Sequence, residues 1–205
     1  MSLSRLLPFP AVPSDAELVA RARDEDRWAR EALYRRHASY LLGMVTRMLG
    51  RRDDAEEVVQ DAFVAAFAQL ANLREPEALR GWLSQIAVNL VRRRLRKLKL
   101  LRLLGLDRGA DDGILSELAA PALSSELRGE LALIDRALAQ LDSGLRIAWS
   151  LRHVEGMELA EVAQVCGCSL ATVKRRLAAA EKAVQAHVGS SDASGPLSSR
   201  KGEDA

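Results

Sequence analysis

Histidine and cysteine are the residue types in this 205-residue chain best suited to metal binding or nucleophilic chemistry. His37, His153 and His187 are scattered along the sequence, whereas Cys166 and Cys168 are separated by a single residue. The sequence offers no second cysteine pair to complete a tetrahedral zinc site. It also shows no phosphate-binding loop, nucleophile motif or metal-binding carboxylate cluster. The sequence therefore predicts no catalytic residue, no metal and no cofactor.

The two cysteines flank Gly167, at positions where a tight helical turn favours small apolar side chains. A pair so close in sequence cannot staple distant parts of a fold, and this usage fits a reducing compartment. We interpret Cys166 and Cys168 as buried apolar residues rather than as metal ligands.

Charge is distributed unevenly along the chain, although the formal net charge is only +2. Seven basic residues and no acid lie from Arg92 to Arg102, and the stretch from Asp107 to Glu117 carries four acids and one arginine. A basic block beside an acidic one predicts a face that binds a polyanion, followed by a solvated connector. The run Leu98 to Leu106 could instead lie on a membrane surface, which its short length disfavours.

Four polar residues that lead into the basic block share one helical face at spacings of 4, 3 and 4: Gln85, Asn89, Arg92 and Arg96. At 100° per residue this face is rotated roughly 120° from the apolar stripe of the same helix. Amides followed by arginines can combine base-edge hydrogen bonds with phosphate neutralisation. Trp82 stands at the edge of the face, where it either packs into the core or stacks on an unpaired base.

The segment from Met157 to Leu177 has the pattern of a helix-turn-helix. Gly167 supplies the conformational freedom of the turn, Ser169 can cap the next helix, and Val173 and Leu177 pin that helix to the first. The side chains that remain outward suit a major groove; they are Ala171, Thr172, Lys174, Arg175 and Arg176. The alternative is a helical hairpin with a solvated basic face.

A third surface is acidic. The helix after Gly50 presents Asp54, Glu57 and Asp61 along one flank and Glu56 and Gln60 along another. An acidic, partly apolar ridge of this kind suits docking on a basic protein surface, and the alternative is an ordinary solvated face.

Apolar residues at helical spacing predict helices throughout, and no segment alternates as a strand does. Capping boxes at Ser14 with Glu17 and at Asp53 with Glu56 predict two helix starts, and the first helix is expected to run through Arg30. The second helix is expected from about residue 31 to 49. A loop over 72–77 precedes the helix that enters the basic block.

These elements predict an all-α fold of two small helical domains, a four-helix N-terminal domain and a C-terminal helix-turn-helix domain, joined by a flexible acidic linker. The expected divisions are a disordered leader, the first domain, the linker, the second domain and a disordered tail: 1–13, 14–104, 105–124, 125–188 and 189–205. No apolar run approaches the roughly 20 residues that span a bilayer, and we expect a cytoplasmic protein.

Three motifs in order resemble those of the extracytoplasmic-function sigma factors of bacterial RNA polymerase, in the sigma-70 family. Residues 54–67 resemble the polymerase-docking helix, and residues 80–90 with the arginines that follow resemble the segment that opens DNA and reads the minus-ten element. Residues 151–177 are similar to the helix-turn-helix that binds the minus-thirty-five element. The match covers about 14–188, and three ordered motifs are far more specific than one.

The resemblance implies a sigma factor without catalytic activity that binds core RNA polymerase, directs it to promoters and assists their opening. Polymerase contacts would involve the clamp helices of the largest subunit and the flap, with the clamp gripped by Asp54, Glu57, Gln60 and Asp61. Minus-ten contacts would fall on Asn72, Trp82, Gln85, Asn89, Arg92, Arg93 and Arg96, with the 72–77 loop capturing a flipped base. The upstream element would meet Ala171, Thr172, Lys174, Arg175 and Arg176.

The implied partners are core RNA polymerase, promoter DNA and an anti-sigma factor, which in this family is often membrane-bound, and the free chain is expected to be a monomer. An ordinary helix-turn-helix regulator with an N-terminal sensor domain is the alternative. The capped acidic helix and the upstream polar-basic face favour the sigma factor, because a sensor domain requires neither.

Overall fold

The structure is a computed structural model that describes residues 13–106 and 124–192. All regular structure within these residues is helical, as the sequence predicts. Residues 1–12, 107–123 and 193–205 lie outside the described residues, and so do the predictions of disorder and of a flexible linker made for them. Over the described ranges, every helix is too short or too polar to cross a bilayer.

Residues 13–106 contain four α-helices: α1 (Asp15–Arg23), α2 (Arg27–Leu49), α3 (Arg52–Ala68) and α4 (Leu79–Leu103). Two single 3₁₀ turns, Leu70–Asn72 and Pro76–Ala78, connect α3 to α4 over the segment predicted as a loop. The capping box predicted at the start of α1 is present. The Ser14 hydroxyl accepts from the Glu17 amide at 3.2 Å, and the Glu17 carboxylate accepts from the Ser14 amide at 2.7 Å.

The first helix is shorter than predicted. It ends at Arg23 rather than running through Arg30, because Glu25 takes a left-handed φ of 62°. The Asp26 side chain then caps α2, which begins four residues before the predicted start, by accepting from the Ala29 amide at 3.2 Å. A left-handed backbone at a glutamate carries no sequence signal of the kind that glycine gives.

The capping box predicted at Asp53 and Glu56 is wrong. Helix α3 starts at Arg52, and its N-cap residue Arg51 makes no side-chain capping hydrogen bond. Glu56 therefore lies inside the helix, where it accepts from Arg52 Nε at 3.0 Å. This pair is an ordinary i,i+4 ion pair on the helix surface.

The C-terminal half contains α5 (Ser125–Gln140), α6 (Ser143–Trp149), α7 (Leu159–Cys166) and α8 (Leu170–Asp192). One π-helical turn, Ser150–Val154, continues α6. Because α8 extends to Asp192, the first four residues of the predicted disordered tail are helical instead.

The two halves pack against each other, which the sequence analysis did not predict. Helix α4 lies against α6 and α7. Val88 and Val91 of α4 belong to the same buried cluster as Ile147 of α6 and Val162 of α7. Burying a side chain of this size stabilises the fold by about 1.5–3 kcal/mol. Helix α4 is therefore the central element, since it contacts α2 and α3 as well as the C-terminal half.

Candidate nucleic-acid and protein-docking surfaces

The outer face of α3 carries the acidic ridge, which we define as Glu57, Gln60, Asp61 and Val64. All four residues are exposed, and Val64 is 71% exposed. Their spacing of three, four and seven residues places them on one side of the helix. A ridge with two acids, an amide and an exposed valine can combine charge attraction with apolar contact to a basic partner.

Asp54 is the predicted polymerase-binding residue that the structure places differently. It is only 6% exposed, and its carboxylate accepts from Arg94 of α4 and lies 3.6 Å from Arg51. Arg94 also donates to Glu57 at 2.9 Å. The hydrogen bond that Arg94 donates to Asp54 is the main cause of the rise in the pKa of Arg94 above its ordinary value. Asp54 therefore joins α3 to α4 rather than facing a partner.

Three consecutive arginines of α4 point in three directions. Arg92 reaches the C-terminal half, Arg93 is exposed, and Arg94 binds the acids of α3. Successive side chains on a helix are separated by about 100°, so one run of cations serves three surfaces. Sequence reasoning missed the role of Arg94. The available signal was helix geometry, which turns the Arg94 side chain away from those of Arg92 and Arg93.

The face of α4 predicted to read minus-ten DNA divides into a covered part and an open part. Arg92 donates to Asn89 at 2.8 Å and to the carbonyl oxygen of Cys166 at 3.2 Å. Gln85 is half-buried beside Gly167, with its amide nitrogen 3.7 Å from the place that a Cβ on this glycine would take. The open part of the face is exposed to solvent and comprises Asn89, Arg93 and Arg96.

Trp82 is half-buried and packs against the core, as one of the two interpretations of this residue requires.

The connection between α3 and α4 is held by Arg23, which sequence reasoning missed. Its guanidinium donates to the carbonyl oxygens of Leu70 and Leu73. Asn72 between them is exposed, so the backbone is fixed while this amide remains accessible.

The helix-turn-helix is formed by α7, a tight turn and α8. Gly167 has the left-handed φ of 61° that such a turn requires. The Ser169 hydroxyl accepts from the Thr172 amide at 3.2 Å, which confirms the predicted cap. Val173 and Leu177 are buried, as predicted.

The outward surface of α8 is narrower than the sequence suggested. Ala171, Lys174 and Arg175 are exposed along one face. The Thr172 hydroxyl lies 2.9 Å from that of Ser169, and the half-buried Arg176 lies 3.6 Å from the sulfur of Cys168. Lys174 and Arg175 are therefore the cations of this set that point directly into solvent.

Burial of Cys166 is confirmed, since this residue is 4% exposed and belongs to the core. Burial raises the pKa of its thiol to about 11, so the sulfur is neutral at physiological pH. Cys168 is half-buried against the same core. Within residues 13–106 and 124–192, no group of three or more His, Cys, Asp or Glu side chains could hold a metal ion.

Comparison with known families gives two matches, one in each half of the chain. The family described as Sigma-70 region 2 matches residues 33–100, and the family described as Sigma-70, region 4 matches residues 131–184. The RNA polymerase sigma-H factor of Pseudomonas aeruginosa is 30% identical over 178 residues, which cover 83% of this chain and 91% of the relative. The ECF RNA polymerase sigma-E factor of Escherichia coli is 29% identical over 180 residues, covering 83% and 92%.

Two solved structures have the same arrangement of helices. CnrH in complex with the cytosolic domain of CnrY has a TM-score of 0.57 and 28% identity, and the alignment covers 88% of this chain and 99% of the other. The sigma factor RpoE in complex with the anti-sigma factor NepR from Bartonella quintana has a TM-score of 0.54 at 21% identity, covering 78% and 96%. The second similarity concerns the fold alone.

Proposed function

The chain belongs to the extracytoplasmic-function sigma factors of the sigma-70 family, and on that premise we propose how its exposed surfaces divide the work of transcription initiation. It acts in promoter-specific initiation, as a member of a family of non-enzymatic initiation factors. In this proposal residues 14–104 dock on polymerase and handle the minus-ten element, and residues 125–188 bind the upstream element.

The acidic ridge of α3 docks on the clamp helices of the largest polymerase subunit. Glu57 and Asp61 supply the charge, Gln60 supplies hydrogen bonds, and the exposed Val64 supplies apolar contact. Asp54 contributes indirectly, because its ion pair with Arg94 holds α3 against α4. This link keeps the docking surface and the DNA-reading helix in a fixed relation.

Helix α4 reads and opens the minus-ten element. Asn89, Arg93 and Arg96 offer an amide and two cations to a DNA strand. Gln85 and Arg92 join them when the C-terminal half moves away, and Trp82 forms the edge of the surface. Asn72, in the connection held by Arg23, is placed to receive a base that has left the stack.

Helix α8 binds the upstream element as intact duplex. Lys174 and Arg175 project from the first turns of the helix, which is the part that enters a major groove in helix-turn-helix proteins. Arg175 suits a bidentate contact to guanine, and Lys174 suits a phosphate. Ala171 and Thr172 line the same approach, and Arg176 supports the turn.

The chain works in the cytoplasm with core polymerase, without catalysis of its own, and it is held in check by an anti-sigma factor. The partner is inferred from the similar structure in which CnrH is bound to the cytosolic domain of CnrY. Because the partner of CnrH is a cytosolic domain, we propose that the inhibitor of this chain is also bound to the membrane.

The observation that carries the proposal is the placement of an acidic ridge on α3 beside a cationic face on α4, joined by Arg94. Run-off transcription from genomic fragments, with core polymerase alone and with the purified chain added, tests it. A sigma factor confers initiation at discrete start sites on the core enzyme. An ordinary helix-turn-helix regulator would bind DNA by itself and leave core polymerase without specific starts.

A further inference from the structure

We propose that Leu170, the first residue of α8, reads a thymine methyl group in the upstream element, so that this element contains an A·T pair that the chain recognises by apolar contact. The inference rests on the proposed binding of α8 in a major groove, and it names a specificity-determining residue for that binding. The sequence pattern did not single out Leu170 as a DNA contact.

The outward surface of α8 consists of two rows of exposed side chains at spacings of four residues. Leu170, Lys174 and Ala178 form one row, and Ala171, Arg175 and Ala179 form the other. Residues four apart lie on the same side of a helix. Each row therefore begins with an apolar residue, continues with a cation and ends with an alanine. The cations serve the middle of the surface, and its leading end is apolar.

Leu170 occupies this leading end. The Ser169 hydroxyl caps the helix by accepting from the Thr172 amide at 3.2 Å, which fixes Leu170 in the first turn. Because the Cα–Cβ bonds of a helix tilt toward its N-terminus, the leucine side chain points toward the capped end. Leu170 is 44% exposed. A single exposed leucine needs no explanation elsewhere on a surface, but the N-terminal residues of a recognition helix are those that meet the base edges.

The residues beside Leu170 are small or engaged elsewhere. Ala171 carries only a methyl group, and the Thr172 hydroxyl lies 2.9 Å from that of Ser169. Leu170 is therefore the largest apolar group at the leading end of the outward surface.

The major groove offers one apolar group that such a side chain can contact. Thymine carries a C5-methyl group there, whereas the edges of the other bases present hydrogen-bond donors and acceptors. Covering a donor or an acceptor with a leucine removes its water without replacing the hydrogen bond, which costs free energy. Contact with a methyl group instead removes apolar surface from water and stabilises the complex. Leu170 therefore favours thymine at the position it meets.

The test replaces thymidine by deoxyuridine, which lacks only the C5-methyl group. Duplexes that the full-length chain enriches from a random pool, both alone and bound to core polymerase, supply the binding sites. Each thymidine of an enriched duplex is replaced in turn, and fluorescence anisotropy at one fixed salt concentration gives the affinity. We expect one replacement to weaken binding of the wild type about fourfold, as the loss of one buried methyl-sized group predicts.

L170A should bind the thymine and uracil duplexes with equal affinity, because the side chain that meets the methyl group is gone. K174A should lose affinity for both duplexes alike, since it removes a phosphate contact and keeps the leucine. L127A is the matched control, because Leu127 is 45% exposed but lies at the start of α5. It should retain the fourfold difference. L170Q, which keeps the length of the side chain and makes it polar, provides the test if circular dichroism shows L170A to be poorly folded.

A wild-type chain that binds every uracil duplex as tightly as its thymine counterpart overturns the inference. A difference that persists undiminished in L170A and L170Q overturns it too, and so does a chain that enriches no duplex in either form. The proposed function fails separately. Methyl-dependent binding by a chain that gives core polymerase no specific starts refutes the sigma-factor role only. Specific starts without methyl dependence refute the reading by Leu170 only.

Discussion

Asp61 lies near the middle of the acidic ridge and is exposed. Changing it to arginine presents a cation to the basic surface on which the ridge is proposed to dock. We expect D61R to bind core polymerase at least about tenfold more weakly, since close charge pairs across interfaces commonly contribute more than 1.4 kcal/mol. Titration of labelled core enzyme at moderate salt measures the loss, and circular dichroism should show unchanged helix content.

The matched control for this change is E56R on the same helix. Glu56 is also exposed, but it points along a different flank and pairs with Arg52. The E56R variant should therefore bind core polymerase nearly as the wild type does. Equal losses in E56R and D61R would show that net charge, rather than the ridge, governs docking.

The buried thiol of Cys166 makes stability depend on pH in the alkaline range. Burial raises its pKa to about 11, whereas the pKa of a cysteine thiol in an unfolded chain is about 8.5. Between these values the folded state binds more protons than the unfolded state, so stability falls as pH rises. The contribution of this one group is on the order of 3 kcal/mol, present below pH 8.5 and lost as the pH approaches 11.

Urea unfolding of the wild type and of C166A at about pH 8, 9, 10 and 11 isolates the contribution of this thiol to the free energy of unfolding. Other groups titrate equally in both chains, so the wild type should lose more stability over the series than C166A does. Parallel pH profiles would mean that the Cys166 thiol is not the source of the dependence.

At the scale of the elements, the turn between α7 and α8 is set by one backbone conformation. Gly167 has a φ of 61°, and a Cβ there would meet only the Gln85 amide at an ordinary contact distance of 3.7 Å. G167A should therefore destabilise the chain through its backbone alone, by about 1–2 kcal/mol. Urea unfolding measures the change.

Gly129 provides the opposite case for comparison. It lies in α5, with open space where a Cβ would be added. G129A should stabilise the chain by up to about 1 kcal/mol, because alanine loses less backbone freedom in a helix. A loss of stability in both variants would contradict the assignment of the Gly167 effect to its left-handed φ.

Most helices could be predicted from the spacing of their apolar residues, because that spacing follows from the geometry of a helix alone. The stripe Leu79, Leu83 and Ile86 marks α4, and Gly167 with Ser169 marks the turn before α8. The break after Arg23 escaped prediction because a glutamate, rather than glycine or proline, adopts the special conformation there. Local patterns report such breaks only when a residue type is specialised for them.

The surfaces were harder to predict, because a charged residue on a helix looks the same in sequence whether it meets solvent or another element. Asp54 has the same residue type as Asp61, yet one is buried against Arg94 and the other is exposed. The partner of Arg92 could not be predicted either, since it is the carbonyl oxygen of Cys166, which is distant in sequence. Contacts of this kind depend on which helices lie opposite, and that is decided by tertiary packing.

At the scale of the whole molecule, α4 lies between the two functional halves. It carries the proposed minus-ten face, it is tied to the docking helix by Arg94, and it packs on α7 of the helix-turn-helix. The two DNA-binding helices differ in chemistry. Arg175 of α8 is an exposed cation suited to a groove of intact duplex, whereas Asn89 of α4 is an exposed amide beside arginines. We therefore expect the two helices to act at different steps of initiation.

Replacing Arg175 with alanine should cost about 1–3 kcal/mol in promoter binding and relax the preference at one upstream base pair. N89A should instead bind duplex promoter nearly as the wild type does and open it poorly. Permanganate footprinting with core polymerase, on a promoter recovered by run-off transcription, separates these steps when linear and pre-melted templates are compared. A pre-melted bubble should rescue N89A and leave R175A defective, because the bubble supplies the open strand but no upstream contact. Failure to rescue N89A, or equal rescue of both variants, would show that α4 and α8 do not divide the work in this way.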